Sequence, residues 1–198
     1  MGEILRLGLI LMLVALVAAV ALGFVNSKTA PIIEEQERMR RQEAMRTVTS
    51  SLGDSLQFDS LAVEGLANPY AMVDRRLAVV AVSDAVSGDR LGYTFVAYGK
   101  GYSSTVQTMV GVDSSGRIVG CSILYQQETP GLGANAENQP WIGQFEGKRI
   151  SQCSVRKDGG EIDSITGATI TSRAVSDSVR EGLEAMREQD LFEGGERA

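Results

Sequence analysis

Histidine is absent from the 198 residues. That removes Ser-His-Asp and Cys-His catalysis, histidine metal sites and histidine pH switches together. Cysteine is scarce. Cys121 and Cys153 are the only two and form no C-x-x-C pair, which excludes a zinc ribbon, a thioredoxin motif and a cluster-binding cysteine set. Positive charge is in the minority, with 19 Lys and Arg against 25 Asp and Glu and a net charge of −6. A basic nucleic-acid surface is therefore excluded, and no nucleic-acid partner is expected. Glycine motifs for nucleotides are missing as well: there is no G-x-x-x-x-G-K, and no G-x-G-x-x-G follows a strand. No internal repeat is evident. No catalytic set and no metal-ligating set is expected.

The chain does have one long apolar run. Leu7 to Val25 is 19 residues without a charge or a proline. At ~1.5 Å per residue it spans ~28 Å, close to the ~30 Å hydrocarbon core of a bilayer. A cleaved signal peptide is the competing reading. Its apolar core is usually about 7–15 residues and ends in a small-x-small site, whereas this run ends Leu22-Gly23-Phe24-Val25. The reading is an uncleaved, single-pass anchor in contact with membrane lipid. Its orientation is ambiguous from charge. Arg6 precedes it and Lys28, Arg38, Arg40 and Arg41 follow, which read naively puts the bulk of the chain in the cytoplasm. Glu34, Glu35 and Glu37 are interleaved with them, and long domains are translocated despite such charges.

The remainder is about one domain's worth and can bury a core without staples. The divisions are an anchor over 1–25, a juxtamembrane helix and domain start over 26–75, a domain over 76–190 and a tail over 191–198. Pro31 suits a first helical turn with Thr29 as a cap, giving a polar helix to about Val48. Residues 50–75 are weakly patterned, with Leu52, Leu56, Phe58 and Leu61 as core candidates. Strands are predicted at Leu77–Ser83, Leu91–Tyr98, Thr105–Val112 and Arg117–Tyr125, with turns around Ser87-Gly88-Asp89 and Asp113-Ser114-Ser115-Gly116. Four successive strands with tight turns predict an antiparallel meander, and the fold class is α+β. Cys121 is in phase with Val119, Ile123 and Tyr125, so it reads as a buried thiol; a disulfide to Cys153 is the sharper alternative. Trp141 opens a short helix to Phe145 as a core anchor. Val175, Val179, Leu183 and Met186 stripe a last helix from about Ser172 to Glu188, capped by Ser172 or Thr171, and the tail from Asp190 reads as frayed.

Two segments stand apart. Residues 163–172 read Asp-Ser-Ile-Thr-Gly-Ala-Thr-Ile-Thr-Ser, a β-type segment running into a helix start with hydroxyls around one glycine. Taken alone this is an N-cap, yet a helix N-terminus also attracts phosphate. Glu128-Thr129-Pro130-Gly131-Leu132-Gly133, a tight turn taken alone, is a fixed loop that a ligand can approach closely.

Together these segments resemble a known family, the FMN-binding domains of the Rnf and sodium-pumping NADH:quinone oxidoreductase complexes, with the G subunit of the Rnf electron-transport complex the nearest likeness. Gly99-Lys100-Gly101-Tyr102, Glu128 to Gly133, Trp141, Phe145, Asp163 through Ser172 and Ala174-Val175 carry the resemblance. It implies an N-terminal transmembrane helix, then an antiparallel-sheet FMN-binding domain with a C-terminal helix. It implies FMN esterified through its phosphate to Thr169, the second threonine of Thr-Gly-Ala-Thr, by a flavin transferase that uses FAD. Thr166, Gly167, Ala168, Glu128, Thr129, Gly131, Leu132 and Gly133 are the further implied cofactor contacts. The implied role is an electron carrier among other membrane subunits of a complex coupling ferredoxin or NADH oxidation to ion movement, without turnover of its own. The implied place is the inner membrane, with the domain in the periplasm. Thr169 is expected two or three residues before the helix. The C subunit of the quinone reductase, or an anchored assembly module without cofactor, is the alternative. The sequence departs from the family at Gln126, often histidine, and at Ser103-Ser104-Thr105, often Gly-Gly-Pro.

Overall fold

The computed structural model describes residues 2–67 and 76–192, with side chains described except at 62–67 and 76–78. The start is one continuous helix, α1 (Gly2–Thr49). Its first part is long and apolar enough to cross a membrane. Pro31 lies inside α1 and opens no second helix. Thr29 is not a cap, because its hydroxyl donates back to Val25 O at 3.1 Å within the helix. Proline lacks an N–H, so this turn loses one ladder bond, but the helix runs on through it.

Five strands follow: β1 (Leu56–Ala67), β2 (Arg76–Asp84), β3 (Arg90–Lys100), β4 (Thr105–Asp113) and β5 (Ile118–Tyr125). They form one antiparallel meander in the order β1-β2-β3-β4-β5. Four of them match the predicted strands. β1 is additional, and it pairs with β2 through Phe58 opposite Val82. The predicted β4–β5 hairpin turn forms around Asp113, whose Oδ1 accepts from Ser115 N–H at 2.9 Å and Arg117 N–H at 3.0 Å. After β5 come the short helix α2 (Gln139–Ile142), several 3-10 turns and α3 (Thr169–Glu188).

Each sheet face has its own core. On one face Phe95, Val106, Val110 and Val112 pack with Val175, Val179, Leu183 and Met186 of α3, and with Trp141 and Phe145. On the other, Val96, Met109 and Leu124 receive Ala44 and Val48 from the end of α1. Cys121 and Cys153 both lie in the first core as free thiols. Burial pushes the Cys153 thiol up to about 12 and raises the Cys121 thiol too, so both stay protonated and inert. The predicted tail is corrected in part. Leu191 and Phe192 pack on the core, and Phe192 meets Tyr93 edge-on at 6.3 Å. Residues 193–198 of that tail, and 68–75 of the weakly patterned stretch, lie outside the described residues.

α3 sits hard against the end of β3. A Cβ on Gly99 would lie 2.0 Å from Ala174 O, so only hydrogen fits at this crossing. Gly99→Ala must push helix and strand apart and is expected to cost about 1–3 kcal/mol. A urea titration of the full chain should show a lower midpoint with unchanged slope; an unchanged midpoint would refute the tight crossing.

Candidate functional site

Three stretches distant in sequence meet at the N-terminus of α3. The meander brings two of them to one end of the sheet. Lys100 at the end of β3 pairs with Thr105 at the start of β4, and Gln107 pairs with Tyr125 at the end of β5. The Gly101–Ser104 turn and the loop after β5 are thereby neighbours.

The third stretch is pinned from Asp163 onward. Trp141 Nε1–H donates to Asp163 O at 2.6 Å, and Asp163 N–H donates to Gln144 Oε1 at 2.8 Å. A tight turn follows, closed by Ala168 N–H to Ile165 O at 3.0 Å, with Gly167 at φ +78°. That conformation favours glycine because a Cβ would clash with the backbone. Ser172 braces the turn from inside the helix: its hydroxyl accepts from Ile165 N–H at 2.9 Å and donates to Ala168 O at 3.0 Å.

α3 begins at Thr169, so the expectation that Thr169 precedes the helix and that Ser172 or Thr171 caps it is corrected. The N-cap is Ala168, and no side chain caps the helix. The amides of a first helical turn have no intrahelical acceptor. An uncapped end keeps them, and the positive end of the helix dipole, open to an anion. Thr169 is half-buried there.

Glu128 ties the three stretches together. The residue is 6% exposed. Oε1 accepts from Ser103 N–H at 2.9 Å and Ser104 N–H at 3.0 Å. Oε2 accepts from Tyr102 N–H at 3.1 Å and from the Thr171 hydroxyl at 2.5 Å. Gly101 and Gly133 make room, since a Cβ on Gly101 would lie 2.7 Å from Glu128 Oε1 and one on Gly133 2.9 Å from Oε2. The two departures from the family pattern both serve this knot. Gln126 Oε1 accepts from Glu128 N–H at 2.6 Å, and Ser104 Oγ accepts from Gln127 N–H at 2.8 Å. Burial is the largest effect on the Glu128 carboxyl and acts to raise its pKa, but the Thr171 hydroxyl and the three amides together outweigh it. The carboxyl is held below the ordinary glutamate range and stays ionised.

Around this knot lies a pocket of about 510 Å³, within the range of small-ligand sites (about 300–1,000 Å³). Glu128, Thr129, Leu132, Gly133, Gly167, Ala168 and Thr169 line it, seven of the residues anticipated from the sequence. Thr166 and Gly131 are exposed and do not line it; Gly131, at φ +78°, shapes the loop instead. Three lining residues were not anticipated as contacts: Tyr102, Ile170 and Thr171. Tyr102 belonged to the Gly-Lys-Gly-Tyr segment that carried the resemblance, the one signal that pointed to it. The rim is apolar and open, with Tyr102 74%, Ile170 53% and Leu132 42% exposed.

Comparison with known proteins gives two family matches. A family described as an FMN-binding domain matches residues 101–184, and one described as the RnfG N-terminal region matches residues 1–48. The G subunit of the Na(+)-translocating ferredoxin:NAD(+) oxidoreductase complex of Acetobacterium woodii is 34% identical over 187 residues, covering 90% of this chain and 89% of its own. The G subunit of the ion-translocating oxidoreductase complex of Shewanella baltica is 30% identical over 196 residues, covering 89% and 86%. Among solved structures, the C subunit of the Na(+)-translocating NADH-quinone reductase from Parabacteroides distasonis superposes with a TM-score of 0.59. It is 21% identical and covers 82% of this chain and 97% of its own, a likeness of fold.

The depressed Glu128 carboxyl has a signed consequence. Its folded value lies below its unfolded one, so its contribution to stability is complete above the ordinary glutamate range (about 4.3). That contribution is lost as pH falls through the folded value. The stability gap between the native chain and Glu128→Gln, measured by urea midpoints, should be widest near neutrality and shrink as the medium is acidified. A gap that widens in acid would contradict the ionised knot.

Proposed function

The chain belongs to the family of G subunits of ion-translocating Rnf oxidoreductase complexes, and we propose that it is the membrane-anchored flavoprotein electron carrier of such a complex, with FMN joined through its phosphate to Thr169. The observation that carries this reading is the position of Thr169. It is the first residue of an uncapped helix and lines a pocket rimmed by Tyr102, Leu132 and Ile170.

The residues present fit the group. A phosphodiester on Thr169 keeps one negative charge, which a helix N-terminus stabilises by roughly 0.3–1 kcal/mol. The first turn of α3 carries no side-chain cap, and Gly167 and Ala168 beside Thr169 leave the approach free of bulk. The apolar rim suits a flat, partly apolar ring and keeps water from one side of it. Bound FMN supplies one- and two-electron chemistry; the protein supplies placement and electrostatics. Glu128 holds the pocket's walls in register, and its ionised carboxylate sets a fixed negative charge beside the site.

Maturation in this reading requires a flavin transferase with FAD as donor. The electron partners are the other membrane subunits of the complex, and this chain relays electrons without turning over NADH itself. α1 anchors it as a single-pass protein of the inner membrane with the domain on the periplasmic side. Support for the anchor is the length and apolarity of its first part. Support for the partners is the name its relatives carry, as G subunits of ion-translocating complexes.

Two measurements test these proposals. When the chain is co-expressed with a flavin transferase and run on a denaturing gel, the protein band should fluoresce as flavin. Thr169→Ala should abolish the signal and Thr166→Ala should retain it; a dark native band, or loss only in Thr166→Ala, would sink the attachment. For orientation, Val86 is exposed and the native thiols are buried, so Val86→Cys gives a clean label site. A membrane-impermeant maleimide should label it in intact spheroplasts, and labelling only after lysis would place the domain in the cytoplasm.

A further inference from the structure

The pocket is lined by two threonines of the same helical turn, and they are in different chemical states. Thr169 is half-buried at the pocket, and its hydroxyl makes no hydrogen bond among the described residues. Thr171 is 1% exposed, and its hydroxyl donates to Glu128 Oε2 at 2.5 Å. Gly133 packs against the same hydroxyl beside Glu128, since a Cβ there would lie 2.7 Å from Thr171 Oγ1 and 2.9 Å from Glu128 Oε2. Oε2 is itself held by Tyr102 N–H, and Oε1 by the amides of Ser103 and Ser104, so the carboxylate cannot swing away without breaking three further bonds.

Building on the proposed attachment of FMN to this segment, we infer that Glu128 is the positioning residue that decides which threonine becomes the acceptor, by holding the Thr171 hydroxyl turned into the protein and leaving Thr169 as the free one. In the transfer, Thr169 Oγ attacks the flavin-side phosphorus of a flavin dinucleotide. The Oγ–P bond forms and the bridging P–O bond of the pyrophosphate breaks. The adenylate leaves with that electron pair, and the hydroxyl proton passes to the transferase or to solvent. No electrons are exchanged. A carboxylate bonded to a hydroxyl can also serve as its general base. At Thr171 the oxygen is buried and held against Glu128, so no phosphorus reaches it while that bond stands.

The test is the site of flavin attachment, read by peptide mass spectrometry on the full chain matured with transferase and FAD. The native chain should carry flavin on Thr169 alone, and Thr169→Ala should carry none. In Thr169→Ala/Glu128→Ala the freed Thr171 should be esterified to a readily detected level, since loss of a charged hydrogen bond shifts the exposed hydroxyl population roughly tenfold or more. A thermal melt confirms that the double variant is folded. Should it not fold, Glu128→Gln, which keeps the shape but mismatches at least one of the four donors, replaces Glu128→Ala with the same outcomes. A folded double variant with no flavin on Thr171 overturns this inference and leaves the Thr169 attachment standing. Flavin on Thr171 of the native chain also overturns it. A native chain with no flavin on either threonine overturns the attachment reading itself, and the inference with it.

Discussion

A buried carboxylate with four donors holds the site together. An ionised glutamate at 6% exposure is costly unless its oxygens are fully used. Here the Tyr102, Ser103 and Ser104 amides and the Thr171 hydroxyl use them. The donors come from two separate parts of the fold. The amides fix the β3–β4 turn, the hydroxyl fixes the first turn of α3, and Glu128's own backbone belongs to the loop leaving β5. Removing the carboxylate would leave three turn amides and a buried hydroxyl without this acceptor. Hydrogen bonds to a charged group contribute about 1.5–3 kcal/mol each in comparable settings. The pocket walls therefore stand or loosen together.

Everything upstream of that contact serves to bring its parties into range. The meander returns β3 and β5 to one end of the sheet. Gly99 lets α3 cross β3 without a gap, so the N-terminus of the helix arrives at the same end. Trp141 and Gln144 hold Asp163, and the Ile165–Ala168 turn converts that fixed point into a helix start. The helix then opens on Ala168, which has no side-chain oxygen with which to cap it. A protein that needed only a stable helix would place Ser, Thr, Asp or Asn there, worth about 0.5–2 kcal/mol. Leaving the end uncapped keeps the first-turn amides for an anion.

Much of this was legible from the chain. β2 to β5 follow from apolar alternation and two turn signals, and the family likeness follows from two loops read jointly. β1 was not legible because its phase breaks. Leu56 and Phe58 alternate with Gln57 and Asp59, and then Ser60-Leu61 shifts the pattern by one. The start of α3 was placed too late because Thr169-Ile170-Thr171 is β-branched, and β-branched residues read against a helix. The fold overrides that preference by burying Thr171 and seating Ser172 in the turn. The anticipated role of Glu128 as a flavin contact came from likeness. What alternation and motif could not express is that its oxygens are spent on the protein, because the partners lie 24 to 26 residues before it and 43 after. Such pairings exist only once the sheet is folded.

The account reduces to one bond at one oxygen. Mass spectrometry of the intact chain after maturation should show an increase of one FMN less one water. Digestion should place that increase on the peptide between Lys157 and Arg173, and fragmentation should place it on Thr169. An unmodified chain from a preparation in which the transferase is active, or the same mass on any residue other than Thr169, would contradict it.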